Sequence, residues 1–438
     1  MAAMKPPWPA NLTITEHPAQ RGASRVRILI LGHYKLERLL GPLVARGATE
    51  IVLWSEVNPG LAVPGASFQW IQMNRLASSE VILDLLDSVR PDTVVANVLG
   101  EEEEHLILPY AVAAERRSWQ DRFLWHPSVF ARPAADKASL HRVAMSLGLP
   151  VPGGGIARNL ADVRSIVGDL GGTPVVLKEI RAQALQGVHA APDNASLNTI
   201  LAMGSLKFPL LVQEMVTGEE IGIEILSSGR TSCRFPVASI GDMDPRCCPV
   251  ARVRSMPRAL PRPALSMVEQ IVETIEDRLA PRGPWQLDLA LTDRKVIILE
   301  INGRLGGLSD MGLDVTGLDP HDLFCGLAMG ERLPDPAPAA IAMEIPVIPG
   351  APLPPAGDEI QISCHTFPDF PDTDYWRLSL RSADGAAVEQ WADRVDPASL
   401  WTSHAALRTQ VRRAVDGLES ASAGRQTALT ADCTVCAG

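Results

Sequence analysis

The chain has 438 residues, 46% of them hydrophobic and 21% charged, a balance that argues against wholesale disorder and for about two to four domains around a sizeable core. Forty Lys and Arg against 51 Asp and Glu leave a net charge of −11, which speaks against nucleic acid or an anionic membrane as partner while leaving room for a small basic pocket around a phosphate. No apolar run nears the ~18 residues of a membrane span, and seven scattered cysteines suit reduced thiols in the cytoplasm better than a disulfide framework.

The opening MAAMKPPWPANLTITEHP has no apolar h-region and reads as a disordered arm over 1–24, not as a signal peptide. From Arg25, RVRILILG is a strand, a helical stretch runs to about Gly47, and EIVLWSE is a second strand. VILDLLDSV and DTVVANVL continue the alternation, the pattern of a parallel sheet with crossover helices, so a Rossmann-like domain is expected over 25–130. Its first strand ends in Gly32, His33 and Tyr34 where a dinucleotide site needs GxGxxG, which speaks against NAD or FAD. Glu101 to Glu104 precede the helical HLILPYAVAAERR; carboxylates in a first turn suit the helix dipole, which is the preferred reading of the run, the alternative being that one of them, past a strand's carboxyl end, faces a substrate amine.

Asp136 opens a helix in DKASLHRVAMSLGLPVP, with Leu140, Val143, Ala144 and Leu147 on one face and Gly148 as its stop. A helix near 160–170 leads into a β-rich region, TPVVLKEI, PLLVQEMV, GEEIGIEIL, WQLDLAL and KVIILEIN. Between these, ALSMVEQIVETIEDRLA carries Leu265, Val268, Ile271, Val272, Ile275 and Leu279 as one helical apolar stripe. After about Pro334, Pro and turn formers dominate, and 336–438 reads as a smaller C-terminal module ending in a disordered tail. Cys433 and Cys436 form a CxxC in that tail without a second ligand pair, which makes an ordinary tail the better reading than a metal or redox site.

The most informative segment is WQLDLALTDRKVIILEINGRLGG, from Trp285 to Gly307. A hairpin with its turn at Arg294 puts Leu287, Leu289 and Leu291 on one face with Ile297, Leu299 and Ile301. The other face then brings Asp288 opposite Glu300 and Gln286 opposite Asn302. Two bare carboxylates forced together repel, so a cation is called for. With only oxygen and amide ligands on offer, a hard ion fits, Mg²⁺ or Mn²⁺ bound with substrate phosphates, the alternative being that Asp288 or Glu300 merely pairs with Arg304. No GxxxxGK[ST] is present, which excludes a Walker-type loop. Lys137 at a helix start and Lys178 on an apolar strand are instead placed to meet a triphosphate, since a lysine on such a strand needs an anion to offset its desolvation.

With these residues in place the chain resembles the ATP-grasp superfamily over about 25–332. The matching strings are ADK before the helix ending in GLPVP, PVVLKEIRAQALQGV, LLVQEMVTGEEIGIEIL and LDLALTDRKVIILEINGRLGG, in that order. The resemblance implies α/β and α+β architecture: a Rossmann-like preceding domain, then an ATP-grasp domain over 131–335 whose small lobe (131–212) and large lobe (213–335) hold ATP between them.

It further implies that Lys137 and Lys178 contact phosphates. The backbone of Gln213, Glu214, Met215 and Val216 would form an interlobe hinge reading adenine, and Glu220 would accept from the ribose. Asp288, Glu300 and Asn302 would hold Mg²⁺, and Arg304 would neutralise phosphate or substrate carboxylate, a task its planar fork suits. The loop over the phosphates is usually glycine-rich; here RAQALQGV keeps only Gly187. Arg252 and Arg254 are further phosphate candidates or a solvated basic edge. Ser309, Asp310 and Asp314 are placed to line an acceptor pocket, while His321 and Asp322 read as helix capping.

The implied activity is ADP-forming carboxylate–amine ligation through an acyl phosphate, closest to the amino-acid-ligase and biotin-carboxylase branch. Its partners would be a small carboxylate and an amine, and a homodimer is the assembly the family suggests. The competing readings are a bicarbonate-using carboxylase or carbamoyl-phosphate-type enzyme, and a nucleotide-binding regulator without turnover. The intact Asp288, Glu300 and Asn302 set speaks against the last, because a scaffold has no use for an uncompensated carboxylate pair.

Overall fold

The computed structural model describes residues 14–16, 26–73, 77–98, 106–119, 123–181, 187–229, 231–244, 251–365 and 376–435. The first sheet has the order β1-β4-β3-β2-β5, from β1 (Ile14–Glu16), β2 (Arg27–Leu31), β3 (Glu50–Ser55), β4 (Ser67–Gln72) and β5 (Thr93–Ala96). β2 to β5 run parallel. Their runs are apolar on both faces because helices cover both. Ile28 and Ile30 join the core with Leu39 and Leu43 of α1 (Glu37–Ala45). Leu29 and Leu31 face Ile82 and Leu86 of α2 (Ser79–Val89) and Ala111 of α3 (Ile107–Arg116). One expectation is corrected within the presumed arm: β1 pairs antiparallel with β4, whose edge offers unpaired backbone groups to any extended segment nearby.

α4 (Ser128–Ala135) and α5 (Lys137–Ser146) lead to a four-stranded antiparallel sheet of order β6-β9-β7-β8. It is built from β6 (Gly154–Ala157), β7 (Val175–Glu179), β8 (Val188–Ala191) and β9 (Leu210–Glu214), backed by α6 (Leu160–Asp169) and α7 (Asn194–Ala202). Side-chain caps start these helices: Asp136 accepts from the Ser139 amide at 2.7 Å, Asn159 from Asp162 at 2.9 Å and Asp193 from Ser196 at 2.7 Å.

A larger sheet follows, ordered β15-β14-β10-β12-β13-β16-β18-β17 with β11 beside β10. Its strands are β10 (Glu219–Ser228), β11 (Ser232–Arg234), β12 (Ala238–Asp242), β13 (Arg254–Met256), β14 (Arg282–Leu291), β15 (Val296–Asn302), β16 (Ile341–Val347), β17 (Gln361–His365) and β18 (Trp376–Ser382). α8 (Arg262–Leu279) covers the apolar face of β10, β14 and β15 with Ala264, Val268, Ile271, Val272, Ile275 and Leu279. The stripe lies one residue off expectation at its start, Leu265 being 40% exposed. α9 (Ser309–Thr316) then packs on β13 and β16, and α10 (Pro320–Ala328) reaches back to the first sheet.

The last hundred residues correct two expectations. They form no separate sheet: β16 pairs with β13, so the C-terminal strands extend the large sheet. The tail is not disordered in backbone, since α12 (His404–Val435) follows α11 (Gly385–Arg394) as one long helix. Its first turns bury Leu407, Val411 and Ala414 against Trp391. A docked helix extends through an Ala-rich stretch without a new nucleation step. Cys433 lies in that helix and Cys436 outside the described residues. Among the described residues no helix is long and apolar enough to cross a membrane.

Candidate active site

The hairpin of β14 and β15 pairs Gln286 with Asn302, Leu287 with Ile301 and Asp288 with Glu300, as the alternation predicts. Immediately beyond, a β-bulge shifts the register, and Leu289 meets Ile298 instead of Leu299. The expected inward face is corrected accordingly: Val296 and Ile298 join Leu287, Leu289 and Ile301 in the core, whereas Leu299 turns with Glu300 to the cleft. An extra residue in one strand lets two consecutive side chains serve the same side.

On the polar face β10 lies against β14, with Gly222 beside Asp288 and Glu224 beside Gln286. Gly222 is required by close approach, because a Cβ there would sit 2.8 Å from Leu308 Cδ1 and 3.2 Å from Asp288 Oδ1. Asp288 accepts hydrogen bonds from Gln286 Nε2 at 2.7 Å and Asn302 Nδ2 at 3.1 Å. Burial, with the Glu220 and Glu300 carboxylates nearby, nevertheless pushes its carboxyl up to about 7. Glu300 goes the other way. Burial raises it, but the Lys137 ion pair at 2.7 Å, with Lys178 and Arg304 around it, outweighs this and holds it below the ordinary range. One fixed anion therefore faces one strained carboxyl, and Gln286 Oε1 is buried without a hydrogen-bond partner. The described residues hold no cluster of three His, Cys, Asp or Glu ligands. A divalent cation here would thus have two carboxylates, amide oxygens and non-protein ligands, the donor set that suits Mg²⁺ with phosphate.

The carboxylates form one wall of a cleft of about 960 Å³, including space open to solvent. Lys137 and Lys178 line the same cleft, Lys137 in direct contact with Glu300, Gln213 to Val216 line the connection between the two sheets, and Glu220 stands on the large sheet. Glu220 is not bare: Arg252 Nη1 pairs with it at 2.6 Å, and both side chains are largely buried. Arg254 lies away from the cleft, 3.5 Å from Glu344 on β16. Gly187 closes the connection of β7 and β8, its carbonyl accepting from the Glu179 amide at 2.8 Å, and is not part of the cleft wall. The loop it bounds, 182–186, and Glu101 to Glu104 lie outside the described residues. Sequence reasoning missed His141, whose Nδ1 stands 3.4 Å from Gln213 Nε2. Burial lowers its pKa below the ordinary value, so a neutral ring backs the strand.

Residues 134–308 match the family model described as an ATP-grasp domain. The chain carries an ATP-grasp domain. Solved structures with the same fold include N5-carboxyaminoimidazole synthetase from Staphylococcus aureus complexed with ADP (TM-score 0.63, 12% identity, covering 83% of this chain and 95% of that one). L-amino acid ligase from Bacillus licheniformis gives a TM-score of 0.62 at 15% identity, covering 84% and 96%. A biotin carboxylase–ATP-analogue complex from Campylobacter jejuni gives 0.59 at 14%, covering 88% and 95%. At such identities the likeness speaks for the fold. No curated protein matches the sequence.

The ATP-grasp domain's remaining polar row lies one pleat beyond the carboxylates. Glu224 is fully buried, its Oε1 accepting from the Gly306 amide at 2.7 Å and from Ser309 Oγ at 2.8 Å. Burial pushes it up to about 7 against those hydrogen bonds and the charges of Arg304 and Lys35. Gly306 is needed for the loop to lie this close, since a Cβ would come within 1.7 Å of Gln286 Oε1. Arg304 leans back, Nη2 standing 3.5 Å from Asn302 Oδ1. Asp310 meets Lys35 and Arg38 of the first sheet's domain, and Arg381 donates to the Asp314 carbonyl. Asp319, not His321 or Asp322, caps α10, while Asp322 pairs with Arg46 at 2.7 Å.

Proposed function

We propose that this chain is an ADP-forming ligase that uses Mg-ATP to activate a carboxylate as an acyl phosphate and couples it to an amine. The observation that carries this reading is the charge layout of the cleft. Lys137 and Lys178 line one cleft with Asp288 and Glu300, beside the connection made by Gln213 to Val216, and Lys137 pairs with Glu300 at 2.7 Å. The triphosphate would lie beside the lysines and the carboxylates, and the adenine against the connection. The Glu214 amide is committed to Gly153 O at 2.8 Å and the Met215 amide to Pro174 O at 3.1 Å. Backbone reading of the base therefore falls to Val216 and the carbonyls. Glu220, already oriented by Arg252, would accept from the ribose.

A Mg²⁺ ion held by Asp288, Glu300 and Asn302 would neutralise charge on the transferring phosphoryl group. The protein's own residues do the positioning: Lys178 and Lys137 draw the phosphates toward Glu300, Leu299 gives the cleft an apolar wall, and Arg304 orients the acid. The acid's oxygen takes the γ-phosphoryl group, ADP departs, and the amine nitrogen then displaces phosphate from the acyl carbon. ADP release, measured with Mg-ATP, hydroxylamine and a panel of amino acids and small carboxylic acids supplied singly, tests this. Stimulation by one acid with hydroxamate formed is expected. ATP bound but unhydrolysed with every acid would refute the ligase reading. The cytoplasm is the compartment we infer from the reduced-thiol composition.

A further inference from the structure

The α1–α10 contact is fastened by ion pairs that need no further help. Arg38 holds both oxygens of Asp319, at 3.0 and 2.6 Å, and Arg46 holds Asp322 and Glu331 at 2.7 and 3.0 Å. Asp310 stands outside this fastening. Its carboxylate is 57% exposed, yet it receives Lys35 Nζ at 2.6 Å and the remaining Arg38 nitrogen, Nη1, at 2.5 Å. The anion alone is open to water: the cations that hold it, Lys35 and Arg38, are 23% and 17% exposed, so they stay in place whether or not this carboxylate occupies them.

Lys35 is also held in the left-handed region (φ 42°), which a lysine rarely adopts and which concentrates at functional positions. It sits just past the carboxyl end of β2, where open α/β sheets present ligands. The position relative to the chemistry is defined by the large sheet. Asp288 and Glu300 form one row; Glu224 and Gln286 form the next, about 7 Å along at antiparallel strand spacing. Glu224 holds Ser309, the neighbour of Asp310, and feels the charges of both Arg304 and Lys35.

We propose that Lys35 and Arg38 seat the anionic group of the acceptor amine, a carboxylate or phosphate carried by the molecule whose nitrogen is acylated, and that Asp310 is the internal carboxylate it displaces. This rests on the ligase reading and narrows its second substrate to amines with an acidic group of their own. One carboxylate or phosphate replaces another on the same two cations, so the exchange leaves no charge unpaired, and Asp310 turns out to water. The nitrogen then lies toward Arg304 and the carboxylate row.

The full-length protein is assayed with its acid and with glycine, β-alanine, O-phosphoethanolamine, ethylamine or hydroxylamine as nucleophile. Anion-bearing amines are expected to give a kcat/KM about tenfold or more above ethylamine, the worth of one lost charge-assisted contact. Whichever of the carboxylate and phosphate arms is better identifies the group. Lys35→Met should raise the KM for that amine about tenfold, with a much smaller change for hydroxylamine, and Asp310→Asn should lower it. Equal losses with both nucleophiles, or a KM raised by Asp310→Asn as well, would make the cluster a structural clasp and overturn the proposal. If the unsubstituted protein turns over no acid, the ligase reading fails, and the seat is judged by calorimetric titration with β-alanine and O-phosphoethanolamine. Weaker binding to Lys35→Met and tighter binding to Asp310→Asn would uphold it; equal binding to all three proteins would overturn it.

Discussion

Asp288→Asn tests the reasoning about the carboxylate row without reference to turnover. In the unfolded chain this carboxyl ionises near 3.8, whereas the folded protein pushes it to about 7. The folded form therefore holds an extra proton between those values, and the stability this group contributes falls as pH rises through that window. At about 1.4 kcal/mol per pH unit, keeping Asp288 ionised near neutrality costs the metal-free fold on the order of 4 kcal/mol. Asparagine removes the charge at nearly constant shape. Gln286 Oε1 has no partner now, so its amide can turn and accept from the new Nδ2. Thermal unfolding in a chelator is the assay. The variant should melt several degrees above the unsubstituted protein at about pH 8, and the gap should close toward about pH 4. Millimolar Mg²⁺ should raise the melting temperature of the unsubstituted protein and not that of the variant. Superimposable pH profiles, or an equal response of both proteins to Mg²⁺, would refute the account.

Three further outcomes are expected. Glu300→Gln should lower ligation roughly a hundredfold by removing the fixed anion beside Lys137, and near-normal turnover would place the metal elsewhere. Lys178→Ala should raise the KM for ATP about tenfold with little change in melting; an unaltered ATP response would put that lysine away from the phosphates. Gly417→Ala would bring a Cβ within 2.2 Å of the Pro257 carbonyl. The last helix must then lift, costing about 1–3 kcal/mol, and limited proteolysis should cut the C-terminal region faster than in the parent protein.

The carboxylate pair was legible because alternation in WQLDLAL and KVIILEIN leaves only one face for Asp288 and Glu300. The bulge was not, since an inserted residue carries no mark in a run of Ile and Leu, and so Leu299 was assigned to the wrong side. β4, β6 and β8 read as SFQWIQ, GGIA and VHAA, with too few β-branched residues to announce strands. Glu224 was visible in principle: Glu220, Gly222 and Glu224 share one face of a single strand, a polar alternation inside GEEIGIEIL. Lys35 and Arg38 gave no signal, because their carboxylate partners come from more than 270 residues away. The C-terminal strands were hidden by a Pro-rich composition that describes the loops between them.

The shared sheet also constrains how such a gene could be cut and rejoined. Because β16 hydrogen-bonds to β13, a breakpoint near Pro334 would split one sheet between two products. The upstream product would keep the carboxylate row but lose Arg413, which pairs with Glu219 at 3.4 Å and Asp242 at 2.8 Å, the two ends of paired strands that frame Glu220. The downstream product would begin as an edge strand in search of a neighbour. The stretch between Glu214 and Glu219, where one sheet has ended and the next has not begun, is no better a breakpoint, because Met215 and Val216 line the cleft and a cut there would part Lys137 and Lys178 from Asp288 and Glu300. The C-terminal hundred residues are thus inherited with the carboxylate strands, not as an interchangeable appendix to them.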